Sequence, residues 1–176
     1  MKYLLLSIAA LSLSANAETV QRCRLSAQNH ITISRDKKIA DTYLYFIQLN
    51  NNKRELIFST EEESRGSDVQ VVCAGKKQKA VIVSGEFTSN YIKGLAINEH
   101  GRIDFAEKIR PAIAYTKASE MMVIFRTDKK WDSNNIYTVY KLTGNEKQSD
   151  ESFGTDTKPS QHGYEVTILR PANKTS

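Results

Sequence analysis

Three histidines, two cysteines and a single tryptophan are the residues of this chain with the most chemical potential. His30, His100 and His162 lie far apart in sequence, beside Ile31, Gly101 and Gly163. A metal centre needs three or four converging ligands. No His-Glu-x-x-His or Cys-x-x-Cys spacing supplies them. The Gly-x-Ser-x-Gly elbow, the Walker loop and the dinucleotide glycine fingerprint are also absent. Ser84 and Ser119 are nucleophiles only if a base is positioned beside them, and nothing in the spacing does this. Asp41, Asp104 and Glu107 are candidates for a glycosidase-type carboxylate pair, but Glu107 has a simpler role as the cross-strand partner of Lys93. The sequence therefore calls for no catalytic residue, no metal and no cofactor, and reads as a binding protein more than an enzyme.

Trp131 is the most informative side chain. It stands in Asp128-Lys129-Lys130-Trp131-Asp132-Ser133-Asn134-Asn135, a polar connection between two expected strands. A large aromatic there either folds back over the core or waits for a partner, and Trp is enriched at interface hot spots. Trp131 with Lys129 and Lys130 is the candidate binding site. Lys76, Lys77 and Lys79 fall in another turn and would extend a basic end of the molecule.

Cys23 and Cys73 are the only cysteines. An even pair in an exported protein reads as one structural disulfide, closing a loop of about 50 residues that is worth ~4 kcal/mol on the chain-entropy argument. Export itself is read from residues 1–17. Met1-Lys2 is a short positive start, Tyr3 to Leu13 an apolar run, and Ala15-Asn16-Ala17 a small-x-small cleavage site. The run falls short of the ~20 apolar residues of a membrane span, so a cleaved signal peptide is expected and a membrane anchor is not. The destination is then periplasmic or secreted.

The expected elements are short strands. Leu44–Leu49, Val69–Cys73, Ala80–Phe87, Met121–Phe125 and Tyr164–Leu169 are rich in Val, Ile, Phe and Tyr, and polar turn clusters separate them. No segment sustains a 3.6-residue apolar stripe. This predicts a single mainly antiparallel all-β domain over 18–176, a β-barrel or β-sandwich tied by one disulfide between the first strand and the fourth or fifth. Two stretches read as loops, 61–68 and the long polar segment 143–163, whose main apolar residue is Phe153.

One hairpin is specified in register. A three-residue Glu99-His100-Gly101 loop with Gly101 left-handed sets Ile97 opposite Ile103, Leu95 opposite Phe105 and Lys93 opposite Glu107. Leu95, Ile97 and Phe105 would share one buried face, with Arg102 an ordinary surface residue. Asp104-x-x-Glu107 also resembles a capping box, so 104–120 stays open between strand and helix.

Lys and Arg exceed Asp and Glu by 25 to 20. So small an excess, in an exported chain without an aromatic-basic strand motif, excludes nucleic acid as the expected partner. The leading expectation is an exported protein-binding module, such as an inhibitor, an immunity factor or an envelope accessory. The alternative is a carrier for a small apolar ligand held in a barrel cavity, which needs a pocket of roughly 300 Å³ or more. A hydrolase with dispersed residues is the third.

Overall fold

The computed structural model describes residues 17–77, 79–131 and 133–169. Most of the expected signal segment, residues 1–16, lies outside the described residues. No described helix is long and apolar enough to cross a membrane.

The chain is all β. Fourteen strands run in order among the described residues: β1 (Glu18–Arg24), β2 (His30–Arg35), β3 (Tyr43–Leu49), β4 (Glu55–Leu56), β5 (Arg65–Ala74), β6 (Ala80–Glu86), β7 (Ile92–Ile97), β8 (Arg102–Glu107), β9 (Ile113–Lys117), β10 (Glu120–Arg126), β11 (Tyr137–Leu142), β12 (Gln148–Ser149), β13 (Ser152–Thr155) and β14 (Glu165–Ile168). They form two sheets. The larger is ordered β1-β2-β3-β5-β6-β7-β8-β12, with β4 on β3, and the smaller β13-β11-β10-β9-β14. Neither closes on itself, so the barrel expectation gives way to a sandwich.

Alternation along β6 shows how the layers stack. Ala80 and Ile82 point into one core with Ile103, Phe105, Met121, Val123, Phe125 and Leu142, where the two sheets meet. Val81 and Val83 point the other way, into a second core with Ile31, Ile33, Tyr45, Ile57 and Leu95. β1 to β3 thus fold over the outer face of β5 to β7, and residues Ala80 to Gly85 are buried on both faces of their strand. This is why that run reads as almost continuously apolar. The disulfide Cys23–Cys73 closes this fold-over by tying β1 to β5, as expected. Cys23 is buried while Cys73 lies at the exposed rim. A disulfide of this kind fits an oxidising compartment.

The hairpin is where the expectation fails. Ile97 pairs with Arg102, Ala96 with Ile103, Leu95 with Asp104 and Gly94 with Phe105, one residue out of the expected register. A one-residue slip exchanges the faces of a strand. Leu95 accordingly belongs to the second core and Phe105 to the first. The turn explains the slip. Asn98 Oδ1 accepts from the amides of His100 (2.8 Å) and Gly101 (2.9 Å), and the Asn98 amide donates to Gly101 O. This side-chain-closed turn has no need of a left-handed Gly101, whose φ is not positive. Gly94 is required for a different reason: a Cβ there would lie 2.4 Å from the Phe105 ring and 2.2 Å from Val83 O. Arg102 is no ordinary surface residue either, pairing with Asp104 at 2.5 Å and donating to Ile57 O at 3.2 Å. The helix alternative over 104–120 is excluded by β8 and β9.

The segment 143–163 is not one long loop. β12 and β13 lie within it, adding a short parallel strand to β8 and an edge strand to β11. The part after β13 passes over Tyr115 of the smaller sheet, while Lys147 O accepts from the Arg102 amide at the start of β8. Tyr115 is fully buried, donates its hydroxyl to Pro159 O at 3.2 Å, and packs on the Tyr164 ring at 5.8 Å between centroids. The loop read at 61–68 likewise ends early, because Arg65 to Asp68 already belong to β5.

Candidate functional site

The β10–β11 connection carries Trp131, and its backbone is unusual. Asp128, Lys129 and Trp131 have φ of 52°, 60° and 59°, in the left-handed region that non-glycine residues avoid. Each such residue costs of the order of 1–3 kcal/mol and persists only when its surroundings hold it there. The hold is visible. The Thr127 side chain, 3% exposed as a residue, donates to Asn135 O at 2.6 Å. The amides of Thr127 and Asp128 both donate to Ile136 O, and that of Lys130 to Thr127 O. Asp156, just past β13, fastens the outside: it accepts from the Ile136 amide at 3.0 Å and pairs with Lys129 Nζ at 3.0 Å. Its carboxyl is held below the usual range, first by the hydrogen bond from Lys129 and then by the Ile136 amide.

Trp131 is 58% exposed on this braced loop. It does not cap the core. Lys130 is exposed beside it. Lys129, expected as a flexible cation, is instead committed to Asp156. The site joins a presented indole to the exposed Lys130, with Lys129, also exposed, paired to Asp156 beside it. Thr127 and Asp156 are the positioning residues that sequence reading missed. Asp156 reaches the loop through a β13 pairing that a polar, glycine-containing strand does not announce, and Thr127 acts through Asn135 O within the loop itself.

The other residues with chemical potential stay apart. His30 Nε2 lies 2.7 Å from an Arg22 guanidinium nitrogen, His100 sits in the β7–β8 turn, and His162 lies in the segment preceding β14. Among the described residues no three His, Cys, Asp or Glu side chains group as metal ligands. Ser84 is buried, and its hydroxyl receives Arg110. The Lys76 and Lys77 amides bind the Glu165 carboxylate, so that turn docks β14.

Glu107 does not meet Lys93, which lies 3.8 Å from Glu63. Instead it accepts from Tyr140 Oη at 3.1 Å where β8 approaches β11. Burial pushes its carboxyl above the usual range, and the hydrogen bond from Tyr140 opposes this in part. Burial, followed by the neighbouring carboxylate, raises the Tyr140 phenol to about 12. An acid whose pKa rises on folding stabilises below its unfolded value, and that contribution is lost as pH climbs through the raised one. Wild-type stability should therefore fall relative to Glu107→Gln as pH increases from below 4.5, where an amide oxygen still accepts from Tyr140. Urea unfolding of both proteins at pH 4 and pH 8 checks it: an equal difference at the two pH values would contradict the raised carboxyl.

A cleft of about 410 Å³ opens at the end of the second core. Leu25, Ile31, Ile47 and Ile97 form its apolar floor, and Asn29 and Glu99 share its rim. Asn29 donates to Glu99 at 2.9 Å and accepts from Asn50 at 3.0 Å. These bonds tie Asn29 and Glu99 to each other and to Asn50. Comparison with known protein families, curated proteins and solved structures finds no match for the chain.

Proposed function

We propose that this is an exported, periplasmic or secreted binding protein that docks on another protein through the Trp131 loop, as an inhibitor, immunity factor or envelope accessory would. The observation that carries the reading is a large aromatic, more than half exposed, held in a left-handed conformation by a buried threonine and an ion pair. Backbone strain kept in place by dedicated contacts is characteristic of functional loops. A rigid aromatic presented to solvent loses little conformational freedom on binding, which suits it to act as an anchor. The Ala15-Asn16-Ala17 site and the Cys23–Cys73 bridge support the exported address.

The test exploits the absence of a second Trp. Iodide should quench Trp131 efficiently in the free protein and poorly once a partner extracted from the same compartment is bound. Trp131→Ala should weaken that capture by ~2 kcal/mol or more. Trp131→Gly should weaken it similarly while raising stability by ~1 kcal/mol, since glycine relieves the left-handed strain. A buried emission in the free state, or a Trp131→Gly protein that is less stable and still captures, would defeat the reading.

The alternative, a carrier of a small apolar ligand, draws on the 410 Å³ cleft, which exceeds the roughly 300 Å³ such a ligand needs. Its apolar floor favours the idea, although its rim is polar and the cores beneath it are filled by side chains.

A further inference from the structure

A second cleft, of about 540 Å³, lies where the start of β5 meets the β6–β7 turn and the end of β8. Arg65, Lys108, Glu86, Thr88, Asn90 and Tyr91 are among the residues that line it. Arg65 is the anomaly. Its Nη1 atom is buried and has no hydrogen-bond partner. Among the described residues no carboxylate lies within 4.0 Å of the charged nitrogens of Arg65 or Lys108. A guanidinium nitrogen removed from water without an acceptor costs more than almost any other polar group left unpaired. Arg35, Arg54, Arg102 and Arg110, whose side chains are also partly or largely buried, each have an acid as acceptor.

The second cation stands in the same cleft. Lys108 Nζ lies 4.3 Å from the centre of the Tyr91 ring, an interaction that positions the ammonium without neutralising it. Thr88 fixes the turn that forms the wall, donating to Tyr91 O at 3.2 Å and accepting from the Tyr91 amide at 3.3 Å. Glu86 is the one acid in the lining, and it accepts from Ser67 Oγ at 3.0 Å.

We propose that this cleft binds a small organic carboxylate, with Arg65 and Lys108 holding its two oxygens. Two cations against one acid leave the lining with a single positive charge, which matches a monoanion better than a phosphate dianion. A guanidinium N–H from Arg65 and the Lys108 ammonium are both charge-assisted donors to a carboxylate oxygen. The volume falls within the range of small-ligand sites and far exceeds a carboxylate alone. The body of the ligand then lies along Tyr91, with Asn90 available for a hydrogen bond. This site is on the larger sheet and is independent of the Trp131 loop, which belongs to the smaller one.

The experiment is a titration of the oxidised protein with benzoate at constant ionic strength, following the Arg65 Nε–Hε and Asn90 backbone resonances. Benzoate should shift both saturably, with a Kd of the order of 1 mM, as befits so small a ligand. Benzamide, which has the same ring and no charge, and phenyl phosphate should each bind at least about tenfold more weakly. Arg65→Gln should abolish the response, and Lys108→Gln, at an exposed position, should weaken it several-fold. Absence of saturation, equal binding of benzamide, or an unchanged affinity in Lys108→Gln would overturn the site even if Arg65→Gln fails to fold. Phenyl phosphate binding as tightly as benzoate would overturn the choice of a carboxylate.

Discussion

Phe105→Ala should lower the stability of this protein by about 3–5 kcal/mol, the range for deleting a core phenylalanine. The ring is 4% exposed in the core between the sheets, edge-on to Phe125 at 5.3 Å and tilted against Tyr140 at 6.1 Å. Leu95→Ala should cost about 2–5 kcal/mol, but from the other core, because Leu95 packs with Val81, Val83 and Ile33 on the opposite face of the larger sheet. Two cavities on opposite sides of one sheet share no side-chain partners, so the losses should add to within about 0.5 kcal/mol. Had the hairpin taken the register that places Leu95 opposite Phe105, the pair would touch and the cycle would show a coupling well above that. Chemical denaturation of the two single variants and the double variant decides between the registers. Arg102→Ala serves as an internal check. With its Asp104 pair and its bond to Ile57 O it should cost about 1–3 kcal/mol, where a solvated turn residue would cost less than about 0.5.

The hairpin shows why the fold was largely legible and its register was not. β3, β5, β6, β10 and β14 all fall where runs of β-branched and aromatic residues predict strands, since strand formation is a local preference reinforced by alternation. Register depends on the turn. The sequence Asn98-Glu99-His100-Gly101 is compatible with two closures, and only the Asn98 side chain, capping two amides, selects the four-residue one. Both registers satisfy the apolar pattern because β7 and β8 are buried on both faces in part, so apolar residues find apolar neighbours in either alignment. Membership of β12 and β13 was illegible for the opposite reason. Gln148, Ser149, Ser152 and Gly154 carry no strand signal, and their pairing follows from lying beside β8 and β11.

The candidate site divides in the same way. Trp131 stands out in sequence because an indole amid Lys, Asp, Ser and Asn has no core-forming context. That Lys129 is paired follows from Asp156, 27 positions further on, and the left-handed backbone goes with a set of loop hydrogen bonds that no local pattern announces. The unpaired guanidinium of Arg65 was beyond reach altogether. Arginine within a run such as Glu61 to Asp68 reads as solvated, and only the three-dimensional packing around the start of β5 takes its nitrogen out of water.

Replacing both Cys23 and Cys73 by Ala should cost about 2–4 kcal/mol, and the loss should be confined in space. Among the described residues β1 is an edge strand whose ladder partner is β2 alone, and β3 meets β5 in register at two residue pairs, Tyr43 with Gly66 and Leu44 with Arg65. The bridge is therefore the main covalent restraint holding the β1–β3 layer over Val81, Val83 and Leu95. Without it, opening of that layer exposes the second core while the core between the sheets keeps its contacts through β6, β8, β10 and β11. Amide exchange should accelerate in β1, β2 and β3 of the double Ala variant and stay slow in β10 and β11. Iodide quenching of Trp131 should not change, because the loop that presents it is braced wholly from the smaller sheet by Thr127, Ile136 and Asp156. Uniformly faster exchange across both sheets would mean that the two cores unfold as one unit. A change in Trp131 quenching would mean that the binding loop depends on a layer it does not touch.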